Sequence, residues 1–174
     1  MRVLKFLGYT SVLLKTDQEV ALKAVMDNMR THRGDQTQTM SEFSPVGDSR
    51  SNRLLERTIQ TVEGQVRTMR GALESRLNRR LVPGGVLFSW LVMHAANLIN
   101  LYEVGKDGRV PYQRFRGRKL HPEMIEFGEC VHYLPLNHLE MGKAEPRWKD
   151  GIFLGVRLES SERQIGTPEG GFSK

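Results

Sequence analysis

The stretch SVLLKTDQEVALKAV, residues 11–25, decides the fold class, because a strand pattern passes directly into a helix pattern within it. Residues 12–14 form a short apolar run, which predicts a buried strand. From residue 17 to about residue 30, apolar side chains recur at helical spacing and predict a helix. A strand followed at once by a helix is typical of an α/β protein.

The clearest helix pattern covers residues 51–80, after a long polar stretch at residues 31–52 in which at most one short strand is expected. The apolar side chains recur at steps of three and four, as in a long amphipathic helix. The stripe consists of Leu55, Ile59, Val62, Val66, Met69, Leu73 and Leu77. It places Leu55 and Ile59 inward and Glu56 on the polar flank beside them.

The second half of the chain changes from helical to strand patterns. Pro83, Gly84 and Gly85 end the long helix, and a second helix is predicted over residues 86–102. Short β runs follow in EFGECVHYLPL and DGIFLGVRL. The predicted organisation is a core of residues 1–102, a basic linker of residues 103–122 and a small β module of residues 123–174.

Composition favours a protein of the cell interior with a polyanionic partner. The 174 residues carry a net charge of +6 and give a pI of about 9.7, which favours nucleic acid first. The single cysteine, Cys130, excludes a disulfide framework within the chain. The short, charged N-terminal segment is unlike a signal peptide, and no apolar run approaches the length of a membrane span.

Two carboxylates are candidates for chemistry. Asp17 stands where the strand meets the first helix, and Glu56 stands in the first turns of the long helix. Carboxylates at a strand end and a helix start can come together and hold two Mg²⁺ ions for phosphoryl transfer. The alternative is that Asp17 caps its helix and Glu56 is an ordinary helix residue.

Four segments occur in an order that resembles a known family. They are LKTDQE at residues 14–19, SPVGDSRSNRLLERTIQTVEGQVR at residues 44–67, WLVMHAANLINLYEVGKDGRVPYQRFRGRK at residues 90–119, and FGECVHYLP with PRWKDGIFLGV within residues 127–156. Together they resemble the integrase part of long-terminal-repeat retrotransposon polyproteins, most closely the copia type. The resemblance covers nearly all of the chain.

The resemblance implies a partial RNase H-like catalytic core followed by a small SH3-like β-barrel. Complete relatives use Mg²⁺ or Mn²⁺ while water, and then a 3′-hydroxyl, attacks a phosphodiester of DNA. Asp17 and Glu56, with 38 residues between them, match the second and third of three metal-binding carboxylates. Asn52 matches the asparagine of the family's Asn-Gly pair, and Arg53 stands where the glycine is expected. A glycine that needs a positive φ would make arginine distort the backbone there.

The family's first catalytic aspartate lies some tens of residues before the second, whereas 16 residues precede Asp17 here. We therefore expect a truncated integrase or a fragment of a Pol polyprotein, without the first aspartate, the first strands and the zinc-binding domain. Two carboxylates hold a metal pair less well than three, so strand transfer by this chain alone should be very slow or nil. The shortened sheet should leave strand edges open.

Basic side chains supply the predicted contacts with DNA. Arginines of the long helix either bind phosphates or line a solvated face with pairs such as Glu63 and Arg67. In residues 109–119, Tyr112 and Phe115 interleave with cations, as in surfaces that stack on bases, although a structural role at the domain junction is equally consistent. The predicted set is Asn52, Arg53, Arg57, Arg67, Arg70, Arg114, Arg116, Arg118 and Lys119.

Three functions remain open from the sequence: an integrase fragment, a non-catalytic nucleic-acid-binding remnant, and an inert remnant of an element. The expected partner is DNA, together with a second copy of the chain or the rest of a Pol polyprotein, and neither a membrane nor a small-molecule substrate is expected. The resemblance implies a nuclear or cytoplasmic location. Trp90 and Trp148 are predicted to be packing aromatics.

Overall fold

The chain folds into two compact units. The computed structural model describes residues 8–16, 18–33, 37–45, 53–120, 123–135, 144, 146–168 and 172–173. Unit 1 is residues 1–60 and unit 2 is residues 61–174. The described residues form a mixed α/β structure with two small sheets, which confirms the predicted α/β class. Of the helices in the described ranges, none is long and apolar enough to cross a membrane.

Unit 1 contains a strand–helix–strand arrangement. Strand β1 is Ser11–Thr16, helix α1 is Val20–Arg33 and strand β2 is Gln38–Phe43. The two strands pair in parallel over all six residues, and parallel neighbours need a crossover such as this helix. The predicted strand and helix are confirmed as elements, and β2 is the short strand that the sequence allowed within residues 31–52. The prediction that the first strand is buried is wrong, because none of its six residues is buried in the described structure.

Helix α1 packs on the parallel pair, and apolar side chains remain exposed on the strands. Met26 of α1 is 5% exposed. Leu13 and Met40 lie opposite each other in the two strands and are 55% and 47% exposed. Two residues along, Lys15 Nζ donates to Glu42 Oε1 over 2.8 Å across the same pair. Side chains two apart share a face, so this face combines an apolar pair with an ion pair.

Helix α2 is Arg53–Leu77 and ends at a left-handed asparagine. Asn78 has a φ of 49°, which asparagine tolerates better than most residues. The Arg79 N–H donates to the Glu74 carbonyl over 3.2 Å, and the Asn78 N–H donates to the Ser75 carbonyl over 3.4 Å. This pair of bonds is a Schellman motif, and it ends the helix before the predicted residue 80.

The apolar stripe of α2 is buried only in its C-terminal half. Leu73 is 3% exposed, and Val66 and Met69 pack against the same apolar cluster. Leu55 is 57% exposed and Ile59 is 48% exposed. The prediction that these two side chains point inward is wrong, because the cluster of unit 2 extends along the helix only as far as Val66.

Two further helices follow. Helix α3 is Val86–Tyr102, as predicted, and helix α4 is Pro111–Arg116, a short helix within the predicted linker. Pro111 suits a first helical position because its φ is fixed and it lacks an N–H. Gly117 ends α4 with a φ of 71°. Tyr112 is 1% exposed and anchors α4, which contacts α3.

Unit 2 also contains a four-stranded antiparallel sheet with the strands in chain order. The strands are β3 at Cys130–Tyr133, β4 at Lys149–Val156, β5 at Arg163–Gly166 and β6 at Phe172–Ser173. The predicted short β runs are therefore confirmed. The predicted division between a core of residues 1–102 and a module of residues 123–174 stays a prediction.

One apolar cluster joins the helices of unit 2 to its sheet. Leu73 of α2, Leu91 of α3 and Leu154 of β4 meet at Phe127, and all four are at most 5% exposed. A second cluster, formed by Phe153, Val156 and Ile165, lies within the sheet.

Gly155 shapes the contact between α3 and β4. Its φ of 128° lies in a region that residues with a Cβ rarely adopt. The pairing of β4 with β5 shifts register between Phe153 and Gly155. A Cβ at residue 155 would lie 2.7 Å from Nδ1 of His94. Both the backbone conformation and the imidazole therefore require glycine here.

We expect Gly155→Ala to lower the free energy of unfolding by about 2–4 kcal/mol, from backbone strain together with overpacking against His94. Denaturant unfolding followed by circular dichroism measures this. The control is Gly71→Ala in α2, where a Cβ would meet nothing within 4 Å. Replacing a helical glycine there should stabilise the protein by about 0.5–1 kcal/mol. Equal stability of Gly155→Ala and the wild type would contradict the argument.

Candidate nucleic-acid interface

The predicted metal site is only partly within the described structure. Asp17 and Asn52 lie outside the described residues. Glu56 is exposed in the first turn of α2, where the helix dipole stabilises a carboxylate. Across the described ranges, no three His, Cys, Asp or Glu side chains form a group that could hold a metal ion. Binding of Mg²⁺ or Mn²⁺ by Asp17 and Glu56 stays a prediction.

Arg53 is the first residue of α2 and lies in the helix. Among the described residues other than glycine, only Asn78 and Ser161 have a positive φ. Arg53 therefore does not have the positive φ at which an arginine would distort the backbone. An arginine is compatible with this helix start, and its side chain is exposed.

The arginines in the first part of α2 face solvent. Arg53 and Arg57 are exposed. Arg67 Nη1 lies 3.7 Å from Glu63 Oε2, but the two side chains are 72% and 59% exposed. An exposed pair of this kind contributes little to stability, so a phosphate could replace the carboxylate at small cost. The ion pair between Glu63 and Arg67, which the sequence offered as an alternative to phosphate binding, is present. It does not prevent Arg67 from binding a phosphate.

Arg70 differs because its donors are used inside unit 2. Its Nε donates to Glu74 Oε1 over 2.7 Å, and its Nη2 donates to the Leu81 carbonyl over 3.1 Å. Its guanidinium lies over the Phe88 ring, 5.9 Å from the centroid. The Arg70 hydrogen bond first, and then the backbone N–H of Leu81, hold the pKa of Glu74 below its usual value. Arg70 thus fastens the turn between α2 and α3.

Arg114 is held in a comparable clamp beside α4. Its Nη2 donates to Asp107 Oδ1 over 2.7 Å, and its Nε donates to Asp107 Oδ2 over 3.1 Å. The same Nη2 lies 3.3 Å from the Arg109 carbonyl. Two parallel bonds to one carboxylate fix the guanidinium plane, and the carboxylate neutralises its charge. Of the predicted DNA contacts, Arg114 is therefore primarily a residue that orders the loop before α4.

The remaining cations of this segment are exposed at the end of α4. Arg116, Arg118 and Lys119 are all exposed, and Gly117 turns the chain between them in a left-handed conformation. Arg116 lies over the Phe115 ring at 6.0 Å from its centroid. Three cations within four residues produce a local positive potential that suits a phosphate backbone.

Of the two aromatic residues in this segment, Tyr112 is buried and is not available for base stacking. Tyr112 is 1% exposed, and its ring contacts that of Phe115 edge to face at 5.5 Å between centroids. Of the two alternatives that the sequence left open, burial of Tyr112 supports a structural role and excludes base stacking by this ring, because the ring anchors α4 on α3. Phe115 is partly buried between this ring and Arg116.

Trp148 is the aromatic residue that sequence reasoning missed. Trp90 packs against the apolar cluster of unit 2, as predicted, but Trp148 is 62% exposed. Its neighbours Arg147 and Lys149 are exposed as well. An exposed indole between two cations can stack on an unpaired base while the cations contact its phosphates. The signal in the sequence is the pair of basic residues that flanks the tryptophan.

No protein-family model matches the sequence, and a search of curated proteins found no similar protein.

The Asp107–Arg114 clamp should open in acid. The Arg114 hydrogen bond first, and then the Arg109 N–H, hold the pKa of Asp107 at about 2, below its usual 3.8. A lowered pKa in the folded state means that the clamp is fully present above pH 3.8 and is lost as the pH falls towards 2. We expect the NMR signal of the Arg114 Nε–H to shift over that window.

In Asp107→Asn, the Arg114 Nε–H should exchange rapidly and show no titration. The amide of Ala95, which is fully buried in α3, reports whether unit 2 remains folded during the titration. A wild-type Arg114 signal that is unchanged down to pH 2 would contradict the assignment of the clamp.

Proposed function

We propose that this chain is a DNA-binding fragment of a retrotransposon integrase. The proposal includes an RNase H-like arrangement for β1, α1 and β2 and an SH3-like barrel for the region from β3 to β6. Support comes from the four segments that resemble the family in order, from the parallel strand–helix–strand unit, and from the four-stranded antiparallel sheet. Each of these is compatible with the family's two domains.

The single observation that carries the DNA-binding proposal is the cluster of cations after α4. Arg118 and Lys119 have no hydrogen bond or ion pair with any described residue, unlike Arg114 beside them. Charges that are not neutralised within the protein are available to displace counterions from a phosphate backbone. The net charge of +6 adds a long-range attraction of the same sign.

Further contacts are proposed for the cations of α2 and for the exposed Trp148, each considered by itself. Arg53, Arg57 and Arg67 would add phosphate contacts that do not depend on sequence. Trp148 would stack on an unpaired base, which gives a preference for single-stranded or frayed ends over continuous duplex. The expected partner is therefore DNA with accessible ends. The location implied by the resemblance is the nucleus or the cytoplasm.

We expect Arg118→Gln/Lys119→Gln to weaken binding to a labelled DNA end roughly tenfold at moderate salt. The slope of log K against log[salt] should become shallower by about 2, because each lost phosphate contact removes about one released counterion. Fluorescence anisotropy at several salt concentrations measures both quantities.

The matched control is Lys15→Gln/Lys23→Gln, which removes the same charge from unit 1. If the cations after α4 bind phosphates directly, the control should change affinity much less and leave the salt slope nearly unchanged. Equal effects of the two double variants would show that net charge alone drives the binding, and would contradict a defined interface.

A second candidate function is metal-dependent cleavage and joining of DNA. The specific observation in its favour is Glu56, a carboxylate in an exposed first helical turn with Arg53 and Arg57 beside it. Asp17 would be its partner in holding Mg²⁺ or Mn²⁺, which would assist attack of a hydroxyl on a phosphodiester. This sequence supplies two of the three carboxylates that the resemblance implies.

With two carboxylates, we expect the chain alone to bind DNA ends without cutting them. Nicking and strand transfer with Mg²⁺ or Mn²⁺ should not exceed the level of the Asp17→Asn/Glu56→Gln variant. Metal-dependent products that disappear in Asp17→Asn and in Glu56→Gln separately would overturn this expectation and make the chain an enzyme. DNA binding in the same samples shows whether the proteins are competent.

Self-association or contact with the rest of a Pol polyprotein is a further part of the proposal. Leu13 and Met40 give the parallel pair of unit 1 an apolar surface, and parallel sheets are generally covered on both faces. A partner that covers this face would bury Leu13 and Met40.

A further inference from the structure

Unit 2 contains an apolar cavity of about 430 Å³. Its walls come from α2, α3, β4 and the segment at residues 123–127, and they include Met69, Leu73, Leu98, Leu101, Phe127 and Phe153. This volume is typical of small-molecule sites, which are mostly apolar and carry a few polar groups that fix orientation. Exposed residues of α2, together with Met124 at 79% exposure, line its outer part.

His94 is the buried polar side chain of this wall. It is 7% exposed, and its Nδ1 is fully covered without a hydrogen-bond partner among the described residues. Nδ1 faces Gly155, so no ligand can reach it. The ring also contacts Phe127 at 5.6 Å and Phe153 at 5.8 Å between centroids. A buried polar ring without partners costs free energy, and a ligand can recover only the part that belongs to the other ring nitrogen, Nε2.

The imidazole of His94 is uncharged at neutral pH. Burial lowers its pKa from 6.5 to about 4. A neutral imidazole has one N–H donor and one acceptor nitrogen. With Nδ1 covered, Nε2 is the ring nitrogen that remains for a ligand in the cavity.

The charged and amide groups around the cavity are already engaged. Arg76 donates to Glu126 and to the Phe127 carbonyl over 2.6 Å each. Asn97 Nδ2 donates to the Val156 carbonyl over 2.9 Å. Glu123 accepts from Arg163 over 2.8 Å. A charged ligand would therefore lose its hydration without gaining an unpaired opposite charge, so the cavity favours an uncharged ligand.

We propose that this cavity binds a small, uncharged aromatic molecule that carries one hydroxyl or ring N–H, hydrogen-bonded to Nε2 of His94. The aromatic body contacts the rings of Phe127 and Phe153 and the leucines of the wall. None of the cations of the proposed DNA interface lines this cavity.

The test uses two probes that differ by one hydroxyl group, 4-ethylphenol and ethylbenzene, titrated into the full chain by NMR. We expect 4-ethylphenol to bind with a Kd below about 1 mM. It should bind roughly fivefold more tightly than ethylbenzene, since the hydrogen bond to His94 is available only to the phenol. In His94→Phe, ethylbenzene binding should persist while the preference for the phenol disappears.

A second variant keeps the test informative if His94→Phe fails to fold. Ala72→Trp places an indole in the cavity from the exposed side of α2 and should weaken both probes at least tenfold. Gly71→Trp, at the neighbouring position outside the lining, should leave both affinities unchanged. Equal binding of the two probes to the wild type would overturn the proposal, as would binding that Ala72→Trp does not reduce. Absence of binding would overturn it too.

Discussion

The contact between helices and sheet in unit 2 depends on four apolar side chains, Leu73, Leu91, Phe127 and Leu154. Each comes from a different part of the chain, and each contributes about 1.5–3 kcal/mol when it is removed from water. The close approach of α3 to β4 requires Gly155, because the imidazole of His94 occupies the space of a side chain. The sheet and the two long helices therefore stabilise one another.

Charge in this protein is divided between cations that hold the fold and cations that face solvent. Arg70, Arg76 and Arg114 each bind a carboxylate and a backbone carbonyl, and each fastens a loop or turn. Arg118 and Lys119 have no such partner in the described part of the chain. The net charge of +6 therefore does not tell where positive charge is available to a polyanion, because some cations are neutralised within the protein and others are not.

Local periodicity identified the elements of this fold but not their surroundings. The strand and helix in residues 11–30, the helix at Val86–Tyr102 and the short β runs each follow from the pattern within their own segment. The exposure of Leu55 and of Trp148 does not, because a period defines a face of an element and not what lies opposite it. The short helix α4 was missed because six residues around a proline carry too little periodicity.

The same reasoning explains why only part of the candidate interface could be predicted from the sequence. Clusters of like charge are visible in the sequence, but a clamp such as Asp107 with Arg114 depends on a turn that brings residues seven apart together. The burial of the His94 ring without a hydrogen-bond partner at Nδ1 is harder still to predict, because Gly155 and Phe127, which pack against the ring, are distant in the chain. Helical spacing in residues 86–102 cannot show this feature.

The cations after α4 and the proposed metal ligands fall on different units of this chain. The cations after α4 and Trp148 belong to unit 2, whereas Asp17 and Glu56 belong to unit 1. Phosphate contacts need only exposed charge, which tolerates displacements of an ångström or more. A metal pair needs carboxylates held to much finer tolerance. Binding can therefore persist under conditions in which cutting does not, and the two properties can be separated by substitution within one protein.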